Sequence, residues 1–247
     1  MNKTLELFER HKTIRKFKRE RISAEELQAI LQAYRRSPSS LGLQASTIIH
    51  VTDQKLKEEI TKISEQEYVA DVPELFIFVA DLYRGRKVAE QKGYENLVDP
   101  SVEMLIQGFT DSIIGAQSLS VAAESLGLGV VYLGSLLKDY EKLIELLKLP
   151  KYTFPVIGMG VGYPDQEPQL KPKMSMEHRC FENEYKSFDN YLDEFKELDD
   201  EMHNYYDTRD ENRRSDTFTN QLSKFYDILS KGESKAVEVL RKQGFRI

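Results

Sequence analysis

The chain has 247 residues, of which 40% are hydrophobic and 31% are charged, so it can bury the core of one large domain or two small ones. Its net charge of −6 argues against a general nucleic-acid binder, which needs many cations to neutralise phosphates. A single cysteine, Cys180, excludes an internal disulfide and a cysteine-based metal centre, and the four histidines lack metal-ligand spacing. The N-terminus has no apolar signal region and no stretch is apolar enough to cross a membrane, so we expect a cytoplasmic protein.

Helices and strands alternate along the first two thirds of the chain. Glu26 follows Ser23 at the spacing of a capping box, which predicts a helix start, and the apolar run at 75–80 predicts a buried strand. The predicted elements are, in order, a helix over 3–10, the helix after Ser23, a strand at 48–51, a helix at 53–63, the strand at 75–80, a charged helix or loop at 84–99, a helix at 101–126, a strand at 130–133, a helix at 141–149 and a strand at 154–162.

The amino-acid composition of the chain changes after Tyr163. Residues 164–185 are rich in proline, lysine and glutamate and are predicted to be extended, and polar amphipathic helices follow at 187–206 and 217–243. The pattern therefore predicts a sheet core at 1–163 and a helical C-terminal extension at 164–247, in one structural domain of the α/β or α+β class.

Two glycine patterns are candidates for a dinucleotide fold, and both have the wrong context. Gly127-Leu-Gly129 follows a helix and precedes a strand, whereas the Rossmann fingerprint lies between a strand and a helix. Gly127 is better interpreted as a glycine at a helix C-terminus. Gly158-Met-Gly-Val-Gly162 lies within a strand, and no helix follows it. The lack of a Gly-rich strand-to-helix loop also argues against an S-adenosylmethionine-type enzyme.

Several polar segments could bind a ligand, although none is specific alone. The segment 11–17 combines cations, a histidine and a hydroxyl, which suits a phosphate, but alone it is more typical of a solvated surface. Lys171-Pro-Lys173 is a second basic pair with the same two interpretations. The serine-rich loop 37–40 with Gln44, and the polar patch at Gln66, could bind a flavin or sugar edge, or form ordinary turns.

The combination and order of these segments resembles the flavin-dependent nitroreductase superfamily, most closely its FMN-containing NADPH nitroreductase and flavin reductase branch. Lys12 and Lys173 stand where the family has arginine, and Ser135 where it has glycine. Lysine keeps the charge and loses bidentate geometry, so phosphate binding should survive. The matching motifs span the chain and are His11-Lys-Thr-Ile-Arg15, Ser37 to Gln44, Gln66 to Ala70, Ala122 to Gly129, Tyr132 to Ser135, Leu149 to Gly158, Lys171-Pro-Lys173 and Thr208 to Arg214.

The resemblance implies an α+β fold with a mixed central sheet flanked by helices, built as an intertwined homodimer with FMN at the subunit interface. The helix at 101–126, rich in small residues, would pack at that interface, and the extension would wrap the partner. The implied FMN contacts are His11, Lys12, Thr13, Ile14 and Arg15; Ser39, Ser40 and Gln44; Gln66, Glu67, Tyr68, Val69 and Ala70; Tyr132, Leu133, Gly134 and Ser135; and Lys171 and Lys173.

The implied activity is that of an NAD(P)H-dependent FMN oxidoreductase. Hydride passes from the donor to N5 of FMN and then, in a second half-reaction, to a nitroaromatic, quinone, flavin or similar acceptor. No catalytic side chain and no metal are implied, because the cofactor carries the chemistry. Arg209, Arg213 and Arg214 would take the 2′-phosphate of NADPH, although this loop could also be a solvated turn. The alternative function is a flavin-binding stress-response protein with little turnover.

Overall fold

The computed structural model of the protein describes residues 2–205, 216–231 and 234–247. These residues form two compact units, one comprising Met1–Gln166 with Lys235–Ile247 and the other comprising Glu167–Ser234. Within the described residues, no helix combines the length and the apolar character that crossing a membrane would need.

Helices and strands follow each other in the order expected from the sequence. In the first unit they are α1 (Lys3–Glu9), α2 (Ala24–Arg35), β1 (Ser46–Val51), α3 (Gln54–Ser64), β2 (Glu74–Asp81), α4 (Tyr83–Gln91), α5 (Val102–Ser125), β3 (Gly129–Leu133), α6 (Tyr140–Leu146), β4 (Thr153–Gly162) and, at the C-terminus, α10 (Ala236–Lys242). In the second unit they are α7 (Tyr191–Glu194), α8 (Lys196–Asn204) and α9 (Phe218–Lys231). The α-helix α4 therefore covers part of the charged segment at 84–99.

The four strands form one sheet in the order β1-β2-β4-β3, and every neighbouring pair is antiparallel. Parallel pairing among the described residues is limited to isolated bridges, which join Thr13 to Val130 and Ser101 to Arg246. The predicted α+β class is confirmed. A mixed sheet needs parallel pairs, and in the described residues these occur only at the two bridges. The four strands themselves each run antiparallel to their neighbours.

Strand β2 is buried on both faces, as its unbroken apolar sequence predicts. Phe76 and Phe78 pack in one core cluster with Ile30 of α2 and Leu119 of α5. The alternate residues Leu75, Ile77 and Val79 pack in a second cluster with Ile60 of α3 and Leu143 of α6. The period of two along the strand therefore divides the core into two layers, each covered by helices.

Helix α5 packs closely on the sheet and on α2 through its small residues. A Cβ atom added at Gly108 would lie 2.9 Å from the Cβ of Ala80, and one added at Gly115 would lie 2.5 Å from the ring of Tyr34. Several of the small residues of α5, including Gly108 and Gly115, are thus buried within the chain. Large apolar side chains lie elsewhere on the helix surface, where Ile106 is 58% exposed and Ile113 is 52% exposed.

Two helix ends have the features that their sequences predict. The side chain of Ser23 accepts a hydrogen bond from the backbone of Glu26, and the side chain of Glu26 accepts one from the backbone of Ser23, so the predicted capping box is confirmed. Gly127 has a φ of +81° directly after α5, and the backbone N–H of Leu128 donates to the carbonyl of Ala123. The predicted glycine at a helix C-terminus is therefore also confirmed.

The C-terminal segment divides between the two units. The segment predicted as one helix at 217–243 contains α9, which ends at Lys231, and α10, which begins at Ala236. The Gln243 side chain, after α10, donates to the carbonyls of Pro150 and Thr153 in the first unit. In the second unit, Phe195 and Leu198 are buried, whereas Phe225 of α9 is 56% exposed.

A buried ion network at the start of β2 makes stability depend on pH. Glu74 is 1% exposed, accepts two hydrogen bonds from the Arg21 guanidinium at 2.8 and 2.9 Å, and lies 2.7 Å from Nε2 of His50. Burial raises the pKa of the Glu74 carboxyl, but the hydrogen bonds from His50 and Arg21 outweigh burial and lower this pKa from 4.5 to about 2.

We expect the free energy of unfolding to fall as the pH is lowered from about 4.5 to about 2. In that window the unfolded chain protonates Glu74 and the folded chain does not, so the Glu74 contribution, about 3 kcal/mol, is complete above pH 4.5 and is lost below it. Urea unfolding across this range should show a shallower pH dependence for Glu74→Gln than for the parent. The exposed control Glu58→Gln should keep the parental slope, and equal slopes in all three proteins would contradict the assignment.

Candidate functional site

The segment 11–15 is fixed against β3 and the end of α5. The backbone N–H of Ile14 donates to the carbonyl of Val130 at 2.9 Å, and the Ile14 side chain is buried. Nδ1 of His11 lies 2.6 Å from Oε1 of Glu124, near the C-terminus of α5. Because side chains alternate along an extended segment, burying Ile14 turns Thr13 and Arg15 toward the other side.

Arg15 and Thr13 present donors that nothing else in the described chain uses. The Arg15 guanidinium and the Thr13 hydroxyl have no hydrogen-bond or ion-pair partner among the described residues, although the backbone N–H of Arg15 donates to Oε1 of Gln166 at 3.0 Å. A guanidinium and a hydroxyl held on a rigid extended segment suit a phosphate. The chemistry of this donor set therefore fits the phosphate of FMN.

A second group of predicted residues meets at the other end of β3. Oε1 of Gln66 accepts hydrogen bonds from Oγ of Ser135 at 2.7 Å and from the Tyr68 hydroxyl at 3.0 Å. A Cβ atom added at Gly134 would meet nothing within 4 Å, so there is open space beside this turn. The structure thus brings the predicted segments 66–70 and 132–135 together, and leaves room for a planar ligand at the Gly134 backbone.

Tyr132, near the end of β3 and just before this turn, contacts α5 through its side chain. The Tyr132 hydroxyl donates to Oε1 of Gln117 at 2.9 Å. Burial raises the pKa of the Tyr132 phenol, so this group stays a neutral donor near pH 7. The backbone around Gly134, rather than the Tyr132 side chain, is the part of the turn free to approach a ligand.

Strand β3 positions both groups. Val130 holds the segment 11–15, and the turn at Gly134 directly follows Leu133. The three residue-to-residue steps from Val130 to Leu133 span about 10 Å. One strand therefore sets the spacing between the candidate phosphate site and the candidate flavin-ring site.

The serine-rich loop lies at a different place in the same chain. The Asp111 carboxylate, buried on α5, accepts hydrogen bonds from the backbone N–H groups of Ser40 at 2.8 Å and Ala45 at 2.9 Å. Asp111 and Glu124 lie 13 residues apart on α5, which corresponds to about 20 Å along the helix at about 1.5 Å per residue. One chain therefore does not bring Ser39, Ser40 and Gln44 together with His11 and Arg15.

The loop borders its own cavity of about 680 Å³, which Ser39 and Gln44 share with Tyr34 and Arg84. The Arg84 guanidinium donates to the carbonyl of Gln44 at 2.5 Å and to the Thr47 hydroxyl at 3.0 Å. Gln44 has a φ of +51°, an uncommon conformation for a residue with a side chain. Arg84 and Asp111 together hold the loop in this conformation.

Two further predicted cations, Lys171 and Lys173, belong to the second unit. Lys171 and Lys173 line a cavity of about 380 Å³ together with Arg179 and Met202, all within that unit. Their share in a phosphate site with Arg15 stays a prediction. Arg209, Arg213 and Arg214 lie outside the described residues.

Three residues that position the site were not among the predicted contacts. These are Glu124, which contacts His11, Asp111, which holds the serine-rich loop, and Gln166, which accepts from the backbone of Arg15. Glu124 lies within the motif from Ala122 to Gly129, which was the only sequence signal for it. Asp111 is an acidic residue within an apolar helix, and such a residue is typical of a buried acceptor for backbone donors.

Gly129 controls the position of the segment 11–15. A Cβ atom there would lie 2.7–2.9 Å from three side-chain atoms of Ile14, so Gly129→Ala must displace Ile14 and, with it, Thr13 and Arg15. We expect Gly129→Ala to lower the free energy of unfolding by about 1–3 kcal/mol, the usual cost of overpacking. Urea unfolding measures this loss. The matched control is Gly85→Ala, where a Cβ meets nothing within 4 Å, and a parental stability for Gly129→Ala would contradict the packing argument.

Comparison with known proteins gives relatives over the whole chain. The chain is 36% identical over 243 residues to an NADPH-dependent oxidoreductase of Staphylococcus saprophyticus, covering 97% of this chain and 96% of the relative. It is 35% identical over 248 residues to an oxygen-insensitive NADPH nitroreductase of Salmonella typhimurium, covering 99% of each chain. Among solved structures, it superposes on the NADPH:FMN oxidoreductase from Vibrio harveyi complexed with NAD+ with a TM-score of 0.87, at 31% identity and 99% coverage of each chain.

Two family profiles match the two parts of the chain. The Nitroreductase family matches residues 8–163, and the Nitroreductase family, C-terminal domain, matches residues 171–247. The first match contains the segment 11–15, the serine-rich loop and both ends of β3. The relatives, the matched profiles and the fold agree, and the chain belongs to the nitroreductase family.

Proposed function

We propose that the protein is an FMN-dependent oxidoreductase that takes hydride from NADPH and passes it to a small organic acceptor. The observation that carries this proposal is the pair of unengaged donors, Arg15 and Thr13, about one strand length from the open turn at Gly134. The relatives named NADPH-dependent oxidoreductase and NADPH nitroreductase support the same activity. When bound, FMN supplies the hydride chemistry, and the chain supplies binding and positioning.

Different residues of the first unit bind the phosphate and the ring of FMN. Arg15 and Thr13 hold the phosphate by charge-assisted and hydroxyl hydrogen bonds, and Glu124 orients the His11 ring beside them. Gln66 is fixed because its Oε1 accepts from Ser135 and Tyr68, which turns its amide nitrogen away from both hydroxyls. That nitrogen can then donate to an acceptor on the edge of the flavin ring. Lys12, Lys171 and Lys173 add positive charge to the phosphate site.

The proposed assembly is a homodimer in which each FMN contacts both chains. Asp111, which holds the serine-rich loop, and Glu124, which contacts His11, lie about 20 Å apart along α5, and this supports an arrangement in which the loop near one flavin comes from the partner chain. The exposed Ile106 and Ile113 on α5, and Phe225 on α9, offer apolar surface for a partner to cover. Light scattering should give about twice the chain mass of 28.7 kDa, and a flavin-loaded species at the single-chain mass would exclude the dimer.

The test of the activity is direct. The purified protein should have a flavin absorption band, and NADPH should reduce it in the absence of oxygen. Steady-state oxidation of NADPH with a nitroaromatic, a quinone or free flavin then separates an enzyme from a flavin-binding protein with little turnover. A protein without flavin, or a bound flavin that NADPH does not reduce, would refute the proposal.

The proposed preference for NADPH over NADH depends on Arg209, Arg213 and Arg214. An extra phosphate favours guanidinium groups that can bind it in a bidentate manner. The double variant Arg209→Ala/Arg213→Ala should lose kcat/KM for NADPH and keep it for NADH. Equal losses of kcat/KM for NADPH and for NADH would contradict the proposed role of these arginines.

A further inference from the structure

A strongly cationic segment follows the phosphate motif. Residues 15–21 read Arg-Lys-Phe-Lys-Arg-Glu-Arg and carry five cations in a chain whose net charge is −6. Lys16, Lys18, Arg19 and Arg21 lie outside the motif His11–Arg15, so the family resemblance gives them no role. A concentration of charge this high in an acidic protein invites a search for an anionic ligand.

The backbone of this segment is fixed to the sheet. The N–H of Lys18 donates to the carbonyl of Tyr163 at 2.9 Å, and Phe17 forms a bridge with Pro164. A Cβ atom at Gly162 would lie 3.1 Å from the Phe17 ring, so the ring packs directly on β4. The cations on either side of Phe17 are therefore anchored at defined positions.

These cations line a cavity of about 650 Å³ in the first unit, which is the size of a small-molecule site. We call it the basic cavity. Its walls also contain two acidic residues, Asp71 and Asp165, and the Asp165 carboxylate lies 3.7 Å from Nζ of Lys16.

Some of the cations are already engaged. Arg21 forms two hydrogen bonds with Glu74, and Nζ of Lys57 donates to the carbonyls of Val72 and Pro73 at 2.7 and 2.9 Å. The side chains of Lys18 and Arg19 have no partner among the residues that the structure describes. Because Arg15 is assigned to the phosphate of the bound FMN, Lys18 and Arg19 are the charges that the cavity can offer to a second ligand.

The basic cavity adjoins the proposed flavin site. Arg15, Tyr68 and Ala70 line the cavity and also belong to the predicted FMN contacts. Thr52 and Gln54 add neutral hydrogen-bonding groups to the wall. A molecule whose reactive end lies on the flavin could therefore extend its charged part into this cavity.

We propose that the basic cavity binds the phosphate groups of the nucleotide that exchanges at the flavin, with Lys18 and Arg19 as the principal contacts. The proposal rests on the proposed function for the identity of that nucleotide. The phosphates could belong to the hydride donor or to free FMN acting as an acceptor, and the two sources share one chemistry. Arg19 can bind a phosphate through two N–H groups, while Lys18 contributes a point charge.

The first experiment measures binding without turnover. Isothermal titration of the purified protein with 2′-phospho-ADP-ribose, which is NADPH without its nicotinamide, should give an affinity that falls about fivefold or more in Lys18→Ala/Arg19→Ala. The affinity should also fall with added salt. The matched control, Lys92→Ala/Lys142→Ala, removes the same charge from exposed positions at the end of α4 and on α6. A loss in the control equal to that in the test variant would overturn the proposal.

The second experiment identifies the source of the phosphates. With a neutral quinone as acceptor, a higher KM for NADPH and NADH at unchanged kcat assigns the cavity to the donor. A higher KM for free FMN but not for riboflavin, which lacks the phosphate, assigns it to the acceptor. Parental KM values for NADPH, NADH, FMN and riboflavin, together with a parental affinity for 2′-phospho-ADP-ribose, would overturn the proposal. A protein that binds this probe but neither holds flavin nor oxidises NADPH would refute the proposed function alone.

Discussion

Replacing Arg15 with alanine should weaken FMN binding by at least about tenfold. A charge-assisted hydrogen bond contributes about 1.5–3 kcal/mol, and each 1.4 kcal/mol corresponds to about a factor of ten in affinity. Since the Arg15 guanidinium has no partner among the described residues, the substitution removes a ligand contact and breaks no contact within the protein. The free energy of unfolding of the apoprotein should therefore stay close to the parental value.

Titration of the apoprotein with FMN, followed by quenching of flavin fluorescence, measures this effect. Arg15→Lys should fall between the parent and Arg15→Ala, because lysine keeps the charge and loses the bidentate geometry. Arg10→Ala is the matched control, since its guanidinium donates to the carbonyl of Glu6 in its own helix. Full FMN affinity in Arg15→Ala would show that the phosphate lies elsewhere.

The parts of the fold that depend on neighbouring residues could be predicted from the sequence. The capping box at Ser23 and the glycine after α5 require contacts only three to five residues away. The unbroken apolar run of β2 predicts a strand covered on both faces, because any polar face would interrupt it. The boundaries of these elements followed from such local signals.

The contacts that assemble the site could not be predicted in the same way. Ser135 meets Gln66 across 69 residues of sequence, and Ser40 meets Asp111 across 71. Contacts between residues so far apart in the sequence depend on the order of the strands in the sheet and on the path of α5. No local sequence pattern encodes either of these. The family resemblance named the residues of the site but not their division into two groups along α5.

That division gives α5 a specific role. Its small residues bring it close to the sheet, its middle holds the serine-rich loop through Asp111, and its end holds His11 through Glu124. One rigid helix therefore fixes the distance between the two groups of predicted contacts. In the proposed homodimer, the same helix would set the distance between the two flavins.

Asp111 is the residue whose replacement should destabilise this arrangement most. It is 2% exposed, and its two oxygens accept from the backbone N–H groups of Ser40 and Ala45. Asp111→Ala leaves both donors, of which that of Ala45 is buried and that of Ser40 half-buried, without an acceptor, at a cost of about 1–3 kcal/mol each, so the free energy of unfolding should fall by about 2–6 kcal/mol. Urea unfolding measures the loss, and the neighbouring exposed variant Thr110→Ala should stay within about 0.5 kcal/mol of the parent.

Asp111→Asn separates the role of the loop from the stability of the fold. The asparagine keeps the shape and one acceptor, but its amide nitrogen must face one of the two backbone donors, so one hydrogen bond is lost and one remains. Its loss of stability should be about half that of Asp111→Ala. If the loop from Ser39 to Gln44 contacts FMN across the dimer, Asp111→Asn should also weaken FMN binding while leaving the segment 11–15 intact. Unchanged stability in both variants would mean that the two backbone donors do not depend on the Asp111 carboxylate, and unchanged FMN affinity in a destabilised Asp111→Asn would remove the loop from the flavin site.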